Sequence, residues 1–311
     1  MEYAKLGTSD LNVSTVGLGC NNFGMRLFDQ EQVNVIVNTA LDAGINFFDT
    51  ADMYGNGASE QFLGKALGSR RTEVIVGTKF GMKMDDDDNK QGASRRYILE
   101  AVEASLSRLG SDYIDLYQVH FPDPETPIEE TLETLNELIK AGKVRHIGNS
   151  NFTGDMISEA ETAAQSSGST KFVPAQNHYN LITRGIEEDV IPEASKIGLG
   201  VIPYFPLASG FLTGKYQPGE AVPEDSRMTA WGMADNTLTE ENFAILGKLE
   251  AFAKSHNHSV LDLAMGWLLS HPEVPTVISG ATKPEHVLSN IEASAWQLSK
   301  DEMDEVNAIT S

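Results

Sequence analysis

The chain has 311 residues, 41% of them hydrophobic, with 27 glycines and 12 prolines. That is a globular profile, long enough to bury roughly three quarters of the surface its unfolded form exposes. Acidic residues outnumber basic ones by 45 to 23, for a formal charge of −22; this excess repels phosphate backbones and anionic membranes, so neither nucleic acid nor membrane is expected as a partner. A small anionic ligand held by a few local lysines stays open. The one cysteine, Cys20, excludes an intramolecular disulfide or a multi-cysteine metal site and points to a reducing, cytoplasmic setting. The start, "MEYAKLGTSDLNVS", has no basic and apolar signal pattern, and no apolar run approaches the ~20 residues of a membrane helix.

In chain order, turns at Gly7-Thr8 and Asp10 predict a small hairpin over the first dozen residues. A first apolar run, "STVGLG" (14–19), precedes a helix capped by Asp29 and Gln32, whose Val33, Ile36, Val37, Ala40 and Leu41 share a face before Gly44. Then come "NFFDTA" (46–51) and "VIVGTKF" (74–80), followed by the acidic "MDDDDN" (84–89), expected to be a solvated loop. Ile98, Val102, Leu106 and Leu109 repeat the helical stripe up to Gly110, ahead of "DLYQVH" (115–120). Thr126-Pro127-Ile128-Glu129 predicts a capping box with proline at the first helical position, a stripe of Ile128, Leu132, Leu135, Leu138 and Ile139, and a stop at Gly142. Four further runs follow: "VRHIGNS" (144–150), "FVPAQNHY" (172–179), "GVIPYFP" (200–206) and "TVISGA" (276–281).

Most of these runs are near-continuous in apolar residues, as in parallel strands covered on both faces. Eight of them alternating with helices predict an α/β fold, a (β/α)8 TIM barrel forming one domain over 1–311. The hairpin would plug its bottom, and extra helices would follow at the carboxyl end. A doubly wound dinucleotide fold is the rival, but "GLGCNNFG" spaces its glycines one position too wide for G-x-G-x-x-G. Two long stretches, 207–237 and the tail after Asn290, are expected over or beside the top face.

Function in a barrel sits at the carboxyl ends of its strands. There the second run ends in Asp49, the third in Lys79 and the fourth in His120, with Tyr54 in the loop after Asp49. Each alone has a structural reading: a turn cap, loop packing, a rim residue. Lys79 among apolar residues needs a buried carboxylate, and Asp49 is the obvious one. A phenol is a weak acid, and a neighbouring ammonium stabilises the phenolate it leaves. His120 adds a second group able to fix a carbonyl oxygen. The set suits protonation of an oxygen while something else attacks carbon; hydride is the natural attacker and requires a cofactor. No three-ligand metal pattern is present, so no metal is expected.

The stretches "FFDTADMYGNGASEQFLGKAL", "VGTKFG", "DLYQVHFPD", "AGKVRHIGNSNF", "PAQNHYNL", "VIPYFPLASGFLTGKY" and "ISGATKPEHVLSNIEA" closely resemble the aldo-keto reductases, over nearly the whole chain. The resemblance implies a catalytic set of Asp49, Tyr54, Lys79 and His120 and a nicotinamide cofactor, NADPH in preference to NADH. Hydride would pass to an aldehyde or ketone while Tyr54 gives its proton, with alcohol oxidation as the reverse.

By the same resemblance Gly19, Asp49, Ser150, Asn151, Gln176 and Tyr204 belong to the nicotinamide end. Phe205, Pro206, Leu207, Ser209, Gly210 and Lys215 belong to a loop over the pyrophosphate. Gly280, Thr282, Lys283, His286 and Asn290 open the last helix, with Lys283 at a position that often holds the adenosine 2′-phosphate. The chain departs from the family at Phe205, where serine is commoner, at His286 and Ser289 near adenine, and at Asn149, usually apolar. Asn21, Asn22, Met25, Met53, Phe121, Met228 and Trp231, together with Tyr54 and His120, are the expected substrate-lining residues, from the loops after the first, fourth and seventh runs; the tail is expected to contribute too. The alternative function is that of potassium-channel β subunits, which share the motif set and act as cofactor-binding regulatory modules.

Overall fold

The computed structural model describes residues 1–223 and 226–311. Glu224 and Asp225, inside the long stretch expected beside the top face, lie outside the described residues. Two short strands, β1 (Tyr3–Lys5) and β2 (Asn12–Ser14), pair antiparallel. Eight parallel strands follow: β3 (Val16–Gly19), β4 (Phe47–Asp49), β5 (Ile75–Phe80), β6 (Ile114–Val119), β7 (Val144–Ser150), β8 (Pro174–His178), β9 (Gly200–Tyr204) and β10 (Val277–Gly280). They pair in the order β10-β3-β4-β5-β6-β7-β8-β9, and the end strands β9 and β10 pack together to leave a nearly closed (β/α)8 barrel. Each predicted run overlaps one of these strands: β7 matches its run, β6 begins one residue before its run, and the others are trimmed by a residue or two at an end.

The outer layer comprises α1 (Gln30–Asp42), α2 (Ala58–Leu67), α3 (Arg95–Leu109), α4 (Ile128–Lys140), α5 (Gly154–Ser167) and α6 (Val190–Ile197). It continues through the short α7 (Arg227–Ala230) and α8 (Ala234–Thr237) to α9 (Glu240–Ser255), α10 (Val260–Leu269), α11 (Pro284–Ala293) and α12 (Lys300–Thr310). Asp29 caps α1 by accepting from the Glu31 amide, as its sequence position suggests. The capping box before α4 does not form. Pro127 is the N-cap, without a side-chain bond, and the Thr126 hydroxyl donates instead to Asp123 at 2.7 Å. The acidic run 84–89 is exposed for the most part, with Asp85 held by Lys90 at 2.8 Å and by the Asn56 amide.

The hairpin does plug the bottom. Leu6, Leu11 and Val13 pack with Phe47, Leu116, Val173, Ile202 and Ile278 as a separate apolar cluster inside the barrel. The tail does not cover the top. The Leu298 amide donates to Ser270 Oγ at the end of α10, Asn307 accepts from Trp267, and Thr310 meets Arg184, so the tail climbs the outside wall. No helix among the described residues is long and apolar enough to cross a membrane.

Candidate active site

Asp49 ends β4 and Lys79 is the penultimate residue of the adjacent β5, so both side chains reach the same mouth. Lys79 is wholly buried and Asp49 is 2% exposed; the ammonium lies 2.6 Å from Asp49 Oδ2 and donates to the Thr50 carbonyl at 2.8 Å. Its third proton is directed at the Tyr54 hydroxyl, 3.4 Å away. Asp49 Oδ1 accepts from Gln176 at 2.8 Å and from Gln118 at 3.4 Å. Every strong site on this buried pair is thereby used, as a desolvated ion pair requires. Asp49 is therefore the holder of a lysine and not a turn cap. Burial alone pulls Lys79 down, but the Asp49 charge and the Tyr54 oxygen more than restore it, and the ammonium sits above the ordinary lysine range.

Tyr54 is carried by a loop bent through Gly55 (φ +57) and Gly57 (φ +86). A Cβ on Gly55 would stand 2.7 Å from the Gly24 carbonyl oxygen, so only glycine lets this loop seat against the one after β3. His120 follows β6, its ring edge-on to Tyr54 with centroids 5.8 Å apart. Burial, and then the Lys79 charge, push its imidazole well below the usual histidine range. The mouth thus holds one cation, one carboxylate, one phenol and one neutral imidazole.

Ser150, Asn151 and Gln176, at the ends of β7 and β8, are already locked together. Ser150 Oγ donates to the Gln176 carbonyl at 2.8 Å, and Asn151 Nδ2 to Ser150 Oγ and the His120 carbonyl, each at 3.0 Å. Asn151 adopts φ +63, and its Oδ1 accepts from Tyr204 at 2.8 Å. Tyr204 is stacked from one side by His178, centroids 5.2 Å apart and planes 13° apart.

A cavity of about 360 Å³ is lined by this whole group: Asp49, Tyr54, His120, Ser150, Asn151, Gln176 and Tyr204, with Gly19 and Gly280 at its floor. Asn21, Met25, Met53, Phe121 and Trp231 line it too, as expected. A second cavity of about 320 Å³ shares Phe205, Pro206 and Gly280 with the first, making one trough. It takes in Leu207, Ser209, Gly210, Lys215, Thr282, His286, Ser289 and Asn290. Lys283, at the N-cap of α11, is not on its wall but stands close enough, with Lys215, to lower His286 further once burial has done so.

Three expectations fail. Met228 is 0% exposed and packs in the main core, outside both cavities. Asn22 is buried, bonds the Ala281 carbonyl at 3.3 Å and lines the second cavity, not the first. No residue after Asn290 lines either cavity among the described residues, because the tail packs outside the barrel. Sequence reasoning missed Cys20, Met82 and Ile278 in the first cavity and Arg26, Thr213, Leu261 and Ser279 in the second. Met82, three residues past Lys79, could have been found by extending the strand-end rule into the loop. Cys20 is buried, its thiol pushed well up by burial and then by Asp49, which makes it inert. Asn149 is buried with neither amide atom hydrogen-bonded, and nothing in the structure explains it.

The trough can hold an extended anionic cofactor. Arg26 and Lys215 line its far lobe, and the α11 N-terminus opens beside it. A Cβ on Gly210 would lie 2.7 Å from Lys215 Nζ, so glycine there leaves the ammonium its place. The residues present fit a nicotinamide dinucleotide, whose phosphates Arg26 and Lys215 would hold.

The model of the Aldo/keto reductase family matches residues 15–311. The chain is 36% identical over 301 residues to a probable voltage-gated potassium channel subunit beta of Oryza sativa subsp. japonica, covering 94% of this chain and 91% of that protein. It is 34% identical over 315 residues to the aldo-keto reductase YhdN of Bacillus subtilis (strain 168), covering 99% and 93%. The solved structure of a glycerol dehydrogenase from Gluconobacter oxydans superposes with a TM-score of 0.86 at 30% identity, covering 99% of this chain and 94% of that one. The chain belongs to the aldo/keto reductase family, an oxidoreductase family that generally uses nicotinamide cofactors.

Proposed function

We propose that the protein is an NADPH-dependent reductase of aldehydes or ketones. The observation that carries this reading is the Tyr54 hydroxyl, 3.4 Å from a buried, Asp49-held ammonium and facing a neutral His120. A nicotinamide cofactor, when bound, supplies the hydride. Tyr54 gives its proton to the substrate oxygen as charge builds there, and Lys79 stabilises the phenolate left behind. His120, kept neutral by burial, steadies the same oxygen without bringing a competing charge. Ser150, Asn151 and Gln176 form a rigid polar rim for the carboxamide, and Tyr204, backed by His178, offers its ring to the nicotinamide. Lys215 and Arg26 meet the phosphates; Lys283 favours a cofactor carrying the extra 2′-phosphate. The acidic surface argues for a free protein without nucleic acid or membrane partners, acting in the cytoplasm.

Tyr54→Phe is expected to lower kcat by about 10²–10⁴-fold. Fluorescence titration should show that it binds NADPH as the wild type does, and more tightly than NADH. Retained reduction in this variant sinks the mechanism, and equal binding of both dinucleotides sinks the cofactor preference. A second reading, a cofactor-binding regulatory subunit, is favoured by the potassium-channel relatives from rice and Arabidopsis thaliana. Tight co-purification with a membrane protein, without turnover of any carbonyl, would support it.

A further inference from the structure

The start of α2 is tied to both strands that carry the buried ion pair. Glu60, in the first turn of that helix, is wholly buried yet lines neither cavity. Its Oε1 accepts from the Thr78 hydroxyl and its Oε2 from Arg108 Nε of α3, each at 2.6 Å. Thr78 precedes Lys79 on β5, so its side chain leaves the outer face of the strand while Lys79 points into the barrel. Ser59 makes the matching tie to the end of β4. Its hydroxyl donates to the Cys20 carbonyl at 2.8 Å and lies 2.8 Å from Thr50 Oγ1, and its amide donates to the Tyr54 carbonyl at 3.2 Å. Arg108 also fills the ground beside the Tyr54 turn: a Cβ on Gly57 would stand 2.6 Å from its Cδ.

We propose that Glu60 is a positioning residue: held by Arg108 and bonded to Thr78, it fixes α2 against β5 and so sets how far the Tyr54 hydroxyl stands from Lys79. The proposal rests on the reductase reading above. Lys79 has little freedom of its own, because Asp49 and the Thr50 carbonyl take two of its protons at 2.6 and 2.8 Å. The 3.4 Å separation from Tyr54 is therefore decided by where the Tyr54 loop sits. Residues 55–57 alone separate Tyr54 from α2, and Gly55 and Gly57 among them permit many backbone courses without selecting one. The selection has to come from α2 itself. Bonds to an ionised carboxylate are short and directional, and Glu60 makes two of them on opposite sides. An apolar pair of similar volume would serve stability as well as a buried Glu60–Arg108 pair does. What the carboxylate adds is a fixed direction toward the strand that carries Lys79. In a buried site the attraction between ammonium and phenolate falls steeply with distance, so a small outward shift of Tyr54 weakens the acid.

The test compares the wild type with Thr78→Val, which keeps the side-chain shape and removes the donor to Glu60. Two readouts are taken. One is kcat with NADPH on the carbonyl that the wild type reduces fastest from a panel of aldehydes and ketones. The other is the ultraviolet titration of the Tyr54 phenol, read as the difference from the same protein carrying Tyr54→Phe. Thr78→Val should lower kcat by about 10- to 100-fold, with KM and NADPH affinity within about twofold of the wild type. Its Tyr54 phenol should ionise at higher pH. Thr78→Ser, which restores the hydroxyl, should restore both. Arg108→Lys keeps the charge and loses the Nε donor; it should move both readouts the same way, and it decides the question where Thr78→Val does not fold. A lower denaturation midpoint with kcat per folded molecule and the phenol titration unchanged would overturn the proposal, as would failure of Thr78→Ser to rescue. If the wild type reduces no carbonyl, the reductase reading falls, while the phenol titration still decides whether Glu60 positions Tyr54.

Discussion

The barrel has two interiors built on the same strands. On β4, Phe47 belongs to the apolar plug at the bottom and Asp49, two residues on, to the ion pair at the top. On β6, Leu116 lies in the plug and Gln118 donates to Asp49; on β9, Ile202 lies in the plug and Tyr204 lines the cavity. A step of two residues keeps a side chain on the same face of a strand, so both layers point inward. What differs is the lid. Leu6, Leu11 and Val13 close the bottom with apolar side chains; the top opens to a cavity and carries charge. Depth along the strand, not the character of the strand, decides which layer does chemistry.

Breaking the top should cost both stability and turnover. Lys79→Met leaves Asp49 buried with two amide donors and no cation. The expected loss is about 3–5 kcal/mol of unfolding free energy, by denaturant titration. It should come with a fall in kcat of about 10²–10⁴-fold in whatever remains folded. Breaking the bottom should cost stability alone. Phe47→Ala removes a wholly buried ring from the plug and should cost about 3 kcal/mol or more. Its kcat/KM per folded molecule, measured well below the melting transition, should match the wild type. Loss of turnover in folded Phe47→Ala would show that the two layers are not separable.

The same contrast explains what was legible beforehand. Strand-end positions carry their own address: a polar residue closing an apolar run in a barrel has nowhere to go but the mouth. Asp49, Lys79 and His120 were therefore readable from the run endings, and the hairpin from its turns. Positions on loops carry no such address. Met53 and Met82 reach the cavity whereas Met228, from a comparable loop, is swallowed by the core. Which of these happens depends on how a loop packs, and composition is silent on that. The tail was misplaced for a related reason. Its anchors, Trp267 for Asn307 and Arg184 for Thr310, are distant in sequence.

Asp52 gives the finest test of how the top tolerates charge. It is 1% exposed, and its amide donates to the Lys79 carbonyl at 3.1 Å. Its neighbour Glu60 is wholly buried and holds both Thr78 and Arg108 at 2.6 Å. Arg108 bonds Glu60, and Asp52 Oδ1 has no hydrogen-bond partner. Burial, and then Glu60, raise the Asp52 carboxyl to about 8 against the opposing pull of Arg108, so the folded protein carries it as a neutral acid at neutral pH. Its folded value lies above its unfolded one, so the native state keeps a proton that the unfolded chain has released. That stabilisation is full below the unfolded value, near 4, and is lost as pH rises toward 8, at up to about 1.4 kcal/mol per pH unit. Asp52→Asn, neutral and of the same shape, escapes the loss. Its stability relative to the wild type should grow from pH 5 to pH 8 and level off above. His120 works in the opposite sense, its folded value lying below the unfolded one, so it weakens both proteins equally as pH falls through 6.5 and cancels in the difference. Urea titrations of the two proteins at successive pH values decide the matter, and parallel curves would mean that Asp52 is ionised and paired like Asp49.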